Sequence, residues 1–381
     1  MRRFPSLATL AAIAVNAAFG AALGAQDVLV SAAHITIAPD ATLSPGRLLI
    51  RDGKVAFVGD EIPSEARQRA RKLDYGEATI IPGFVMAQTT MGQDQDLAEA
   101  AFAFTPDLLA AEAFDPWHED LAALAGLGIT SFALSPSPRN VAGGIAALCK
   151  PGRDHARTAD RELHLQLSLI GAARDQNRAP TSLLGAIDML RTGFRDAKQG
   201  LQGGTDIAVL RQVLDGSRRA FIHASDYTEL NAALDLAKEF AFEPVLVGAA
   251  EAEKVLGRLV QQKVAIVLGT LRPEMRLAEL QLPATLARAG VPFCFAGDPG
   301  QLRLSAVLAI RHGLDRKLAQ QALTRTPALF LGQQASIGSL RQGCAADFTV
   351  WSGDPLDLTS SLLATWVDGV RLEGDQPAGA R

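Results

Sequence analysis

The chain has 381 residues, of which 48% are hydrophobic and 6% aromatic, and its 37 basic and 41 acidic residues nearly balance. This length and hydrophobic content suffice for one large core or two domains. The balanced charge, the lack of a lysine- and arginine-rich block and the low aromatic content give no reason to expect a partner among nucleic acids or anionic membrane surfaces.

Residues 1–25 differ from the rest of the chain. Two arginines near the start precede an alanine-rich apolar run from Leu7 to about Ala22, and small residues follow. This pattern predicts a secretory signal peptide with cleavage near Gln26, and an uncleaved N-terminal helix is the alternative. The run is too short for a good membrane span. We therefore expect a secreted, periplasmic protein without a membrane span after cleavage.

Both ends of the remaining chain show β patterns. Apolar residues alternate between Asp27 and Ala78, with Asp52 and Gly53 placed as a hairpin turn, and the segment from Ile337 onward returns to this style. Because chain termini tend to lie close together, segments of this kind often share one sheet. We predict a small β-sandwich domain built from residues 26–82 and 337–375, on either side of a central domain spanning residues 83–336.

The central part alternates short apolar strands with helices such as Thr228–Phe240, in which apolar residues recur every three or four positions. Eight strands are predicted, at Gly83–Ala87, Thr130–Leu134, Ile145–Cys149, Leu165–Ile170, Ala220–His223, Pro244–Val247, Val264–Leu268 and Pro292–Ala296. This number favours an α/β fold of the (β/α)8 TIM-like barrel type, although an open doubly wound sheet would alternate similarly. A dinucleotide-binding glycine motif is absent after the first strand.

The three cysteines, Cys149, Cys294 and Cys344, lie in apolar surroundings without the spacing of a zinc knuckle or a redox pair. We predict that all three are buried free thiols.

Four stretches of the chain are informative: the entry to the central part, "IIPGFVMAQTTMG", its exit, "IGSLRQGCAADFTVWSGDPLDL", and "FIHASDYTELNAALDLAKEF" and "FAGDP" between them. Together they resemble the amidohydrolase superfamily, and within it the imidazolonepropionase-like branch. The resemblance covers nearly all of the chain after residue 25 in the same order. It implies the split β-sandwich and barrel, and a divalent metal, usually zinc, at the carboxyl ends of the barrel strands.

Most metal ligands implied by the resemblance are missing. The family's His-x-His pair corresponds to Gln88 and Thr90, and the histidine after the sixth strand corresponds to Gly248. Only the histidine after the fifth strand, His223, and the aspartate after the eighth, Asp298, are retained. Stable zinc sites use three or four protein ligands, so we expect no complete metal site and no tight zinc binding.

Three further residues or segments bear on this site. The fourth strand offers Gln166 and Ser168 but no lysine or glutamate; Lys150 could fill that place if the strand count slips by one, although a surface position before Pro151 is favoured. The loop Gly171–Pro180 is expected to project over the site. His223 and Asp298 either stabilise the ends of the strands by hydrogen bonding or form a vestigial polar site.

Two functions follow from these residues. In the first, the chain is a secreted, non-catalytic amidohydrolase homologue that binds a ligand, a homologous catalytic amidohydrolase subunit or a second copy of itself. In the second, it is an active hydrolase of carbon–nitrogen bonds, non-peptide or cyclic amide, with an atypical site around His223 and Asp298. The loss of ligands favours the first.

Overall fold

A computed structural model describes residues 26–91, 93, 95–200 and 204–373. The predicted signal peptide, residues 1–25, lies outside the described residues. In the part of the chain that is described, no helix has both the length and the apolar character needed to cross a membrane.

Strands from both ends of the chain form two sheets. Numbered along the chain, they are β1 Val28–Ala32, β2 His34–Ala38, β3 Ala41–Leu43, β4 Gly46–Arg51, β5 Lys54–Gly59, β6 Arg71–Asp74, β7 Thr79–Pro82, β18 Phe348–Trp351, β19 Leu362–Val367 and β20 Val370–Glu373. One sheet has the order β5-β4-β1-β6, and the other has the order β20-β19-β18-β7-β2-β3. In the second sheet β18 pairs antiparallel with β7, so strands from opposite ends of the chain are direct neighbours.

The two terminal sheets enclose one apolar core. Val30 and Leu48 come from the first sheet, and Ile80, Phe348 and Trp366 come from the second. The rings of Phe348 and Trp366 stack with their centroids 5.2 Å apart. Burial of such large side chains is the main stabilising contribution of this part of the chain.

Two hairpin turns meet at the edge of these sheets. Asp52 and Gly53 have φ values of 49° and 75°, and Asp368 and Gly369 have 48° and 72°. Positive φ at both central residues suits the twist of a two-residue hairpin and favours an Asp-Gly sequence. The hairpin predicted at Asp52–Gly53 is therefore confirmed.

The central part contains ten strands and nine of the ten helices within the described residues. The strands are β8 Phe84–Thr89, β9 Ile129–Leu134, β10 Ala142–Ile145, β11 Ala147–Lys150, β12 Arg157–Asp160, β13 Leu165–Ser168, β14 Ala220–Ala224, β15 Pro244–Gly248, β16 Ala265–Leu268 and β17 Phe293–Phe295. The helices are α1 Ser64–Arg69 in the terminal part, then α2 Glu119–Ala122, α3 Leu183–Gln199, α4 Thr205–Leu214, α5 Tyr227–Phe240, α6 Leu256–Gln261, α7 Leu277–Arg288, α8 Leu302–Arg311, α9 Arg316–Leu323 and α10 Arg325–Phe330.

These strands form an α/β arrangement of two sheets, β12-β11-β9-β8 and β10-β13-β14-β15-β16-β17. The strands from β13 to β17 are parallel, as are β8 and β9. Each of the eight predicted strands overlaps a strand of the structure. The third predicted strand is divided into β10 and β11. These run antiparallel to β13 and β9, respectively, and not parallel as in a uniform parallel barrel.

Side chains alternate along the central strands. On β8, Phe84 and Met86 face a large apolar cluster shared with the helices, whereas Val85 and Ala87 face a second cluster. The second cluster takes side chains from both central sheets, including Ala133 on β9, Val247 on β15 and Cys294 on β17. One face of both sheets thus contributes to a common interior. All three cysteines are free and buried, as predicted.

Candidate functional site

The predicted site is built at the carboxyl ends of β8, β14, β15 and β17. Gln88 is the fifth residue of β8, and His223 is the fourth residue of β14. Although they are 135 positions apart in sequence, the Gln88 Nε2 and His223 Nε2 atoms lie 3.5 Å apart, a long hydrogen-bond distance. An amide nitrogen only donates, so this contact is a hydrogen bond when His223 Nε2 is unprotonated and the imidazole proton lies on Nδ1.

The side chain of His223 is 8% exposed, and burial lowers its pKa to about 4. Desolvation disfavours the charged imidazolium, so the ring is neutral at neutral pH. A neutral imidazole can ligate a metal through an unprotonated nitrogen, but here that nitrogen faces the Gln88 amide.

Two neighbouring strands place Ser168 and Gly248 beside His223. Ser168 is the register partner of His223, and Gly248 is the partner of Ala224, the next residue along β14. Gly248 has a φ of +92° and contributes no side chain. The Ser168 hydroxyl is fully buried and has no hydrogen-bond partner among the described residues.

Thr90 and Asp298 line a cavity of about 660 Å³, together with Glu119, Asp120 and the apolar residues Met91, Ala123, Leu124 and Leu127. Asp298 is exposed, and its carboxylate accepts a hydrogen bond of 2.9 Å from the backbone N–H of Gly300. Its own backbone N–H donates to Thr270 Oγ1 at 2.8 Å. The carboxylate therefore caps a short turn at the rim of the cavity.

The structure brings the five predicted positions together as two linked groups. Gln88 contacts His223 in the buried group, which Gly248 borders, and Thr90 shares the cavity with Asp298 in the exposed group. The two groups are joined through the end of β8. Among the described residues, the side chains of His223 and Asp298 form no hydrogen bond with each other.

The sequence analysis did not anticipate a second buried histidine, His164. It is 1% exposed, its ring stacks on Phe221 with centroids 3.6 Å apart, and its Nε2 lies 3.4 Å from Ser135 Oγ. Burial, together with the nearby His223, Arg218 and Arg219, lowers the pKa of His164 to about 3. The signal lay in "HLQLS", residues 164–168, where His164, Gln166 and Ser168 alternate with leucines and form a buried polar face.

The sequence analysis favoured a surface position for Lys150, but the structure buries this residue. Its side chain does not point to the site either. The residue is 4% exposed, and its Nζ lies 2.7 Å from Asp347 Oδ2 and 2.7 Å from Asp368 Oδ1. Both carboxylates belong to the terminal β part of the chain. Lys150 thus joins the two parts of the chain. Local sequence patterns could not reveal this, because its partners are about 200 positions away.

The residues at the site do not fit the zinc centre that the resemblance implies. Gln88, Thr90 and Gly248 supply no imidazole, and the lone pair of His223 Nε2 accepts from the Gln88 amide. In the described part of the chain, no three histidine, cysteine, aspartate or glutamate side chains lie together as a metal-binding group. Stable zinc sites require three or four such ligands.

The site lies where parallel strands end in polar residues, a common place for ligand sites in α/β proteins. Comparisons with known proteins narrow the class. A family model described as "Amidohydrolase family" matches residues 284–372. An amidohydrolase from Thermotoga maritima has a TM-score of 0.80 and 25% identity, over 91% of this chain and 100% of that chain. These similarities support a relationship to the amidohydrolase superfamily.

Two further proteins are similar to this chain. An imidazolonepropionase from Aeromonas hydrophila is 39% identical over 106 residues, which is 24% of this chain and 26% of that protein. The chain thus matches only about a quarter of that relative's length. Ochratoxinase from A. niger has a TM-score of 0.58 and 16% identity over 93% of this chain and 99% of that chain, a likeness of fold alone.

Proposed function

We propose that the chain is a non-catalytic member of the amidohydrolase superfamily that binds a ligand or a protein partner at the carboxyl ends of its central strands. The observation that carries this proposal is the 3.5 Å contact between Gln88 and His223. A glutamine amide stands where the family resemblance implies a metal ligand, and it uses the nitrogen of the one histidine that is retained.

The proposal includes a finer description of the fold. The two central sheets share one interior apolar cluster, and Gln88 of the first sheet contacts His223 of the second. Both observations support closure of the two sheets into an eight-stranded barrel, with residues 142–150 as an antiparallel third strand. Closure through β17 and β8 would place the five site positions on one rim.

The test is the metal content of the purified protein. After incubation with excess zinc and dialysis, we expect far less than one equivalent of zinc by mass spectrometry, because two potential ligands cannot hold the ion tightly. The matched control is the variant Gln88→His, Thr90→His, Gly248→His, which should retain more zinc. A full, chelator-resistant equivalent in the natural protein would overturn the proposal and favour a hydrolase of carbon–nitrogen bonds.

The proposal also keeps the expected location and partners. A periplasmic protein cleaved near Gln26 would meet its ligand, or a catalytic homologue, outside the cytoplasm. N-terminal sequencing of the protein from the periplasmic fraction tests the location. Size-exclusion chromatography with light scattering, alone and with a catalytic homologue, tests self-association and partner binding.

A further inference from the structure

Three loops follow the carboxyl ends of β8, β9 and β13 and meet beside the buried group of the site. A five-residue stretch of the first loop, Ala98–Phe102, is called the strap here. Its flanks are fixed by backbone hydrogen bonds: Ser137 N–H donates to the Leu97 carbonyl at 2.9 Å, and Ala142 N–H donates to the Ala103 carbonyl at 3.0 Å. The second loop therefore anchors the strap at both ends.

One side chain from the third loop holds the strap itself. Arg178 Nη1 donates to the carbonyls of Glu99 at 2.9 Å, Ala100 at 3.2 Å and Phe102 at 3.4 Å. The same guanidinium donates to Asn140 Oδ1 and to the Arg139 carbonyl, both at 2.9 Å. A planar guanidinium can bind several acceptors at once, so Arg178 ties all three loops together.

The strap has little else to hold it in place. The side chain of Phe102 is 68% exposed, and Ala100 and Ala101 are exposed as well. Ala101 N–H donates at 2.6 Å to the carboxylate of Glu99, which is itself part of the strap. Segments with few buried apolar contacts open at low free energy. The closed position of the strap therefore depends on Arg178.

A short chain of contacts connects the strap to His223. Asn140, which accepts from Arg178, precedes Val141, whose carbonyl accepts from Ser168 N–H at 2.9 Å. Ser168 is the register partner of His223 on the next strand. Along this path Ser137 Oγ, Asn140 Nδ2, Ser168 Oγ and Arg178 Nε are buried without a hydrogen-bond partner among the described residues.

Buried polar groups without partners raise the free energy of the closed arrangement, because they have given up hydrogen bonds to water. Opening the strap would let these groups bind water or a ligand. We infer that Arg178 is a latch that holds the strap closed over the Ser168–His223 side of the site, and that its release admits a small molecule. This inference rests on the proposed binding function of that site and adds its regulation.

The test measures how fast His223 reacts with diethylpyrocarbonate at pH 7, located by peptide mass spectrometry, together with amide hydrogen exchange of residues 98–102. The reagent modifies neutral imidazole, the form that burial imposes on His223. In Arg178→Gln we expect His223 to react on the order of tenfold faster and the strap amides to exchange faster. Arg178→Lys should give an intermediate rate, because one ammonium group cannot bind all the acceptors that the guanidinium binds in the first and second loops.

Arg195→Gln, at an exposed position on α3, is the matched control and should leave both rates unchanged. Faster exchange of the strap without faster reaction of His223 would show that the strap does not cover the site, and unchanged exchange would show that Arg178 is not the latch. Either result overturns the inference. Thermal unfolding of each variant separates latch opening from global destabilisation. None of these readouts depends on metal content, so a failure of the proposed function would be recognised separately.

Discussion

Gly248 shows how backbone geometry constrains a single residue of the site. Its φ is +92°, whereas an added Cβ would meet only the Ala224 carbonyl, at 3.8 Å. Space is available, but the backbone conformation disfavours any side chain. We predict that Gly248→Ala lowers the free energy of unfolding by about 1–3 kcal/mol. Urea denaturation measures this, with Gly257→Ala in the exposed helix α6 as control.

The control substitution, Gly257→Ala, is expected to raise the free energy of unfolding. Gly257 lies in a helix with no atom within 4 Å of an added Cβ, so alanine should stabilise the protein by about 0.5–1 kcal/mol. Equal effects of the two substitutions would contradict the argument from φ.

Gly248 also limits any restoration of the metal site by substitution. Gln88→His or Thr90→His as a single variant should change zinc affinity little, because each adds one imidazole to His223 and Asp298, which belong to separate groups of the site. The triple variant with Gly248→His should bind zinc more tightly and unfold more easily without it. Isothermal titration with zinc and unfolding in a chelator measure the two effects. A single variant that binds as tightly as the triple variant would show that other side chains complete the site.

Buried histidines make stability depend on pH. The pKa values of His223 and His164, about 4 and about 3, lie below the usual value of 6.5, so the unfolded chain takes up protons first as the pH falls. We therefore predict full stability above about pH 6.5 and a loss between pH 6 and 4, by up to about 1.4 kcal/mol per pH unit for each histidine. Denaturation at several pH values tests this. His164→Asn with His223→Asn should flatten that part of the profile.

At this scale the sequence selected candidate residues but could not show what they touch. The family resemblance was enough to select Gln88 and His223, but their contact depends on the packing of strands that are 135 positions apart. A lone histidine at the start of a strand, such as His164, has no sequence pattern that reveals its surroundings. Its environment is set by Phe221 of β14 and by Ser135, which follows β9.

Among the elements, β10 and β11 show that the alternation of side chains along a strand does not encode the direction of that strand in its sheet. The predicted strand Ile145–Cys149 exists, but alternation of side chains is the same in both strand directions. The direction follows from tertiary pairing, in which Cys149 lies opposite Phe132 of β9 and Ile145 lies opposite Leu165 of β13. The seven other predicted strands carry no such ambiguity once they alternate with helices.

The end of β11 also carries a buried polar link between the two parts of the chain. Lys150 lies between Asp347 and Asp368, and its side chain and that of Asp347 are 5% and 3% exposed. Removing one partner of a buried ion pair leaves an uncompensated charge. We predict that Lys150→Ala lowers the free energy of unfolding by about 3–5 kcal/mol. Denaturant unfolding measures the change.

An exposed ion pair serves as the comparison. Arg191 and Glu239 lie 2.9 Å apart on the surface, so Arg191→Ala should cost no more than about 1 kcal/mol. If Lys150→Ala were as mild, the buried pair would not stabilise the junction between the two parts.

For the whole molecule, the shared terminal sheet makes residues 345–373 part of the core. Without them β7 loses its neighbour β18, and Ile80 loses the packing of Phe348 and Trp366. We predict that a chain ending at residue 344 shows no cooperative thermal unfolding by circular dichroism and binds a hydrophobic dye. Adding residues 345–381 as a separate peptide should restore the transition. A cooperative transition in the shortened chain would contradict this prediction.

The pairing of β7 with β18 also has a kinetic consequence. More than 260 residues separate the two strands, since β7 ends at Pro82 and β18 begins at Phe348. During synthesis, at roughly 5–20 residues per second, the edge of β7 waits many seconds for its partner. Long-range pairing of this kind slows folding, because the entropy cost of closing the long loop comes before the stabilising contacts form. An early fragment with an open strand edge is prone to aggregation, so a chaperone that protects this edge should raise the yield of folded protein.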